Sequence, residues 1–116
     1  MPIHLDISHL DRLVMVVIIG DATAKDVKSL ASQFMDSGMM PYRKIVDITA
    51  GVLVVDDAEL ESIAASQRAD PNMASRGPLA FVVDPRRAEV AEKWAALTTG
   101  ERPVKVFHSS TRPASG

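Results

Sequence analysis

Two strand-like runs, Leu13 to Ile19 and Lys44 to Ile48, bracket a stripe of Val27, Leu30, Ala31 and Phe34 at i, i+3, i+4, i+7 spacing. A strand, an amphipathic helix and a second strand in that order predict a parallel pair joined by a right-handed crossover. Leu13 to Ile19 is continuously apolar and rich in Val and Ile, which fits a central strand covered on both faces. Before it, Ile3, Leu5 and Ile7 alternate with His4, Asp6 and Ser8, the period of a strand with one wet face. The link from Ser8 to Arg12 is too short for a crossover, so this first pair is expected to be an antiparallel hairpin.

The alternation continues along the chain. Gly20-Asp21 is expected to end the second strand. Thr23 is a plausible helix cap with Asp26 three residues on, and Gly38 is a natural stop. A second apolar run, Val52 to Val55, follows Ile48-Thr49-Ala50-Gly51. Asp56 or Asp57 can cap a second helix whose inner face carries Leu60, Ile63, Ala64 and Gln67, ending at Asp70-Pro71-Asn72. Leu79 to Val83 is a fourth strand with Phe81 in the core. Asp84-Pro85 is expected to open a third helix, with Val90, Ala91, Trp94 and Leu97 along one side and Gly100 at its end. Val104 to Phe107 closes the sheet, and residues 109–116 are expected to form a flexible tail. The fold class is therefore α/β: one domain over residues 1–108, in the order β-β-α-β-α-β-α-β, with a mixed sheet and flanking helices.

Length and composition agree. A chain of 116 residues with 47% apolar and 24% charged residues suits a single globular domain. A net charge of -2 argues against nucleic-acid binding. The short basic pairs Arg43-Lys44 and Arg86-Arg87 read as solvated edges. Cysteine is absent, which excludes disulfides and thiol catalysis. No apolar run approaches the ~20 residues of a membrane span. Met1-Pro2 lacks the features of a signal peptide, so a cytoplasmic protein is expected.

The junction Ile19-Gly20-Asp21, the segments YRKIVDITAG and LAFVVDP, the closing VKVF and the element order together resemble the SpoIIAA-like branch of the STAS superfamily, small bacterial proteins, over about residues 3–107. The resemblance implies a regulatory, protein-binding module of the anti-sigma-antagonist type. In that family a Ser in an Asp-Ser-Ser-Gly-like turn is phosphorylated. The matching turn is Asp56-Asp57-Ala58-Glu59: Asp56 matches the family Asp, Asp57 stands at the Ser position, and the second Ser and the Gly are missing. Thr49 is the nearest hydroxyl at the strand end. The expected partner-binding or regulatory residues are thus Thr49, Asp56, Asp57 and Glu59. SpoIIAA-like proteins share their architecture with CRAL-TRIO lipid-binding domains, which implies an alternative function as a carrier of a small apolar ligand. The loop Ala69 to Gly77 and the neighbouring Met35, Met39 and Met40 would then form a gate.

Catalytic motifs are missing. No Gly-x-Ser-x-Gly elbow, Walker loop or GxGxxG occurs. His4 and His9 flank the hairpin and His108 lies apart, without acids at metal-ligand spacing. Asp47 is expected to bond backbone amides. The expectation is a non-enzymatic protein without cofactor or metal. Its partners would be a protein or a small apolar molecule, or a second copy pairing along the open edge Ile3 to Ile7.

Overall fold

A computed structural model describes residues 3–71 and 76–108, apart from the side chain of Met35. It contains β1 (Ile3–Ser8), β2 (Leu13–Thr23), α1 (Ala24–Asp36), β3 (Arg43–Val54), α2 (Asp57–Ala69), β4 (Leu79–Val83), α3 (Glu89–Leu97) and β5 (Val104–His108). The expected tail at 109–116 and the Asn72 stop lie outside the described residues. The five strands form one mixed sheet in the order β1-β2-β3-β4-β5. β1 runs antiparallel to β2, and the remaining neighbours are parallel. β1 is an outer edge of this sheet, as the hairpin reading expected.

Strand order dictates where the helices go. Each parallel connection steps one strand in the same direction, and crossovers of one hand then place every helix on the same side. The buried side chains of the helices, Phe34, Leu60, Ile63, Ala64, Ala91 and Trp94, gather accordingly with Val14, Val16, Ile18, Val46, Ile48, Phe81 and Val83. These sheet residues share one face through the register Val14↔Lys44↔Leu79 and Val16↔Val46↔Phe81. The opposite face carries Leu13, Met15, Val17, Ile45 and Val82, which are only half-buried. β2 is therefore covered on one face, not two. Its unbroken apolar run reflects in-sheet neighbours on the second face rather than a second helical layer.

Three boundaries differ from the sequence expectation. β2 does not stop at Gly20-Asp21, and β3 does not stop at Ile48. They continue side by side as a two-stranded ribbon, Ile19↔Ala50 through Thr23↔Val54, after a register shift past Val17. Ladder pairing along the ribbon, with Ile19, Thr23, Val52 and Val54 β-branched, outweighs the turn tendency of its glycines. The ribbon outruns β4, and Ile19 and Val54 stay about half exposed. At the other boundary, Asp84 caps a 3-10 turn at Pro85–Arg87, and α3 begins only at Glu89.

Local signals at α1 hold. Thr23 and Asp26 cap each other: Thr23 N donates to Asp26 Oδ2 at 2.9 Å and Asp26 N to Thr23 Oγ1 at 3.4 Å. Gly38 adopts φ 73, and Met39 N reaches back to Phe34 O at 3.1 Å.

Candidate functional site

In open α/β sheets, ligands gather at the strand C-termini where strand order reverses. Here the order never reverses, so there is no switch-point crevice, and this end carries an open hollow lined by Ile48, Val52, Arg86 and Val90. The acidic turn at the C-terminal end of β3 is instead occupied with local bonding. Asp56 Oδ1 accepts from Glu59 N at 2.7 Å and Glu59 Oε1 accepts from Asp56 N at 3.0 Å, a reciprocal capping box at the start of α2. Asp57 pairs with Lys93 of α3 at 2.8 Å. Thr49 lies within β3, half-buried, and its hydroxyl donates to Asp47 Oδ1 at 2.7 Å. Asp47 Oδ1 also accepts from Thr49 N at 2.9 Å, the backbone bond expected of it. Asp56 and Glu59 are thus brought together, while Asp57 and Thr49 each face another partner.

The concavity with the most apolar wall lies elsewhere. Between the helices and the covered face of the sheet is a cavity of about 120 Å³. Its walls come from every layer: Val27, Leu30 and Ala31 of α1, Leu60 and Ile63 of α2, Trp94 of α3, and Val46 and Phe81 of the sheet. The α1 stripe explains the space. Its smallest member, Ala31, and its β-branched Val27 leave room above the sheet, so Val27, Leu30 and Ala31 remain half-buried although they face inward. Met40 joins the wall and is buried, as is Met39.

One end of this cavity is polar. Gln67, Lys44, Arg76 and Arg102 line it, with no carboxylate among the described lining residues. The reading of Lys44 as a solvated edge is overturned: it is 4% exposed. The pleat explains why, since Lys44 shares its face with the buried Val46 and Ile48. Its ammonium donates to three carbonyls, Met39 O at 2.9 Å, Met40 O at 2.7 Å and Tyr42 O at 2.8 Å. It also stands 5.0 Å from the centre of the Phe34 ring. Burial, then the nearby Arg102 charge, lowers Lys44 from 10.5 to about 8. Arg76 donates to Gln67 Oε1 at 2.8 Å and Glu101 Oε1 at 3.0 Å, while its buried Nε finds no acceptor. Arg102 makes one long hydrogen bond, 3.4 Å to Gly77 O. Burial and the neighbouring Arg76 bring it down to about 10 despite the opposing influence of Glu101.

Gly77 makes this grouping possible. A Cβ there would collide with Pro41 O and Tyr42 O, so only glycine lets residues 76–78 press against the turn before β3. Gly77 N donates to Met40 O at 2.9 Å, which sets Arg76 beside Lys44. Sequence reading missed the cluster because its members come from three separate strand entrances. The one available cue was the parity of Lys44 with Val46.

The histidines remain dispersed. His9 Nδ1 lies 3.0 Å from Tyr42 Oη, His108 Nε2 lies 3.1 Å from Glu92 Oε2, and His4 is exposed. Among the described residues no three His, Asp or Glu side chains converge as metal ligands, and no helix is long and apolar enough to cross a membrane. No protein-family profile matches the chain, and no curated protein matches it at a significant level.

Proposed function

We propose that this chain is a non-enzymatic, STAS-like binding module that holds a small apolar molecule beneath α2. The carrying observation is the cavity of about 120 Å³, walled by apolar side chains of all three helices and the sheet. Apolar spaces of about 150 Å³ take benzene, so the apolar part of an occupant here is no larger than that. A two-chain lipid would not fit unless α1 or α2 moved away. The mixed sheet with its antiparallel first strand is compatible with the STAS resemblance. Native mass spectrometry of freshly purified protein tests the reading. A bound small molecule should be carried through purification or be taken up from added 1-hexanol. Protein that retains nothing and takes up nothing contradicts it.

The resemblance also suggests a second reading, with a protein partner docking at Asp56, Asp57, Glu59 and Thr49. The exposure of the first turn of α2 supports it. The bonding of these residues within the chain supports it less than the cavity supports a ligand. Binding of a lysate partner that survives Asp56→Lys with Asp57→Lys would remove the acidic turn from consideration. Pairing of two copies along β1 belongs with this reading, and sedimentation would detect it.

A further inference from the structure

We infer that the molecule held beneath α2 is an anionic amphiphile, a short apolar body bearing a carboxylate or phosphate head that lies against Arg102. This rests on the cavity reading above and adds to it the chemistry of the head group. Apart from Gln67 of α2, the polar part of the wall lies at the entrances of β3, β4 and β5, where three cations converge: Lys44 is the second residue of β3, Arg76 precedes β4 and Arg102 precedes β5. The register Lys44↔Leu79↔Val104 aligns these entrances side by side.

The neighbouring acid neutralises only part of this charge. Glu101 is shared between Arg68 at 2.9 Å and Arg76 at 3.0 Å. Lys44 has spent its three donors on carbonyls, which satisfy its hydrogen bonds without cancelling its charge. Arg102 is the group with capacity left. A guanidinium carries five donors, and among the described residues Arg102 uses one, over 3.4 Å. Like charges held together in a poorly solvated place are costly unless countered. Burial chiefly, and the neighbouring positive charge after it, holds Lys44 and Arg102 below their usual values. An anion at this end would meet the planar fork of Arg102 directly, in the geometry that suits carboxylate and phosphate. Lys44 and Arg76 would act on it through space. A neutral or cationic head would leave the crowding unrelieved. The apolar chain would then run along Phe34, Leu60 and Trp94.

A titration of the whole chain with matched six-carbon ligands, followed by ¹⁵N–¹H chemical shifts, tests this. The series is hexanoate, hexyl phosphate, 1-hexanol and hexylamine, with acetate and inorganic phosphate as headgroup controls. Hexanoate or hexyl phosphate should bind at least tenfold more tightly than 1-hexanol, and hexylamine should not bind. Arg102→Gln should erase that preference and Arg102→Lys should retain part of it, whereas a full preference kept by Arg102→Gln overturns the placement of the head at Arg102. A dispersed ¹⁵N–¹H spectrum that matches wild type away from residue 102 certifies that the variants are folded. Equal binding of hexanoate and 1-hexanol overturns the anion inference and leaves the apolar-ligand reading standing. Acetate or inorganic phosphate binding as tightly as its hexyl counterpart overturns the amphiphile. Failure of every hexyl compound to bind overturns both readings.

Discussion

At the scale of single residues, the buried ammonium of Lys44 carries a measurable signature. Its pKa falls from 10.5 to about 8 on folding, chiefly because burial penalises the charge. Below about pH 8 both the folded and unfolded chains hold this proton. Between about 8 and 10.5 the folded chain has released it and the unfolded chain has not. The unfolded state binds more protons across that window, so stability rises with pH there. Urea denaturation at about pH 7.5 and about pH 10 should register the rise, and Lys44→Met should lack it. Wild-type and variant changing in parallel would contradict the assignment. The same residue marks the limit of sequence reading. A cap at Asp56 or Asp57 was legible because a helix start is signalled within a few consecutive residues, while the reciprocal bonding with Glu59 emerged only in the structure. Lys44, Arg76 and Arg102 were not legible as a cluster, because only the sheet brings three strand entrances together. Lys44 carried a cue in its parity with Val46, but beside Arg43 it passed for an ordinary polar edge.

At the scale of elements, the two ends of α2 have separable roles. The capping box at Asp56 stabilises the helix that roofs the cavity. Asp56→Ala should cost about 1 kcal/mol in denaturant unfolding. If the cap serves only α2, ligand selectivity is unchanged in that variant. Gly77 acts at the opposite end of the sheet. Gly77→Ala must push residues 76–78 off Pro41 and Tyr42, and should cost about 1–3 kcal/mol. It should also weaken any preference for anions, since it parts Arg76 from Lys44. An alanine variant as stable as wild type would show that this approach is looser than described. Elements were well read where their signals are local, as at α1, where Thr23, Asp26 and Gly38 set both ends. They were misread where pairing overrides local tendency. Gly20-Asp21 and Ile48 looked like strand ends, yet β2 and β3 zip past them to Thr23↔Val54. Likewise Asp84-Pro85 signalled a helix start, and the chain takes a 3-10 turn before α3.

At the scale of the whole molecule, the unreversed strand order decides where a ligand can go. It gathers the three helices over one face and leaves no switch-point crevice at the strand C-termini. The concavity with the most apolar wall is the gap between helical roof and sheet, where Ala31 and Val27 under-fill the interface. The alternation of strands and helices was readable from periodicity. The one-sided covering was not, because an apolar run looks the same whether helices or neighbouring strands shield its second face. The most direct measurement is a crystal of the protein pressurised with xenon, which enters apolar cavities of this size whatever head group the natural ligand carries. A xenon atom bounded by Leu60, Ile63 and Trp94 is the predicted result. A crystal without xenon there, with side chains collapsed into that space, would contradict the account.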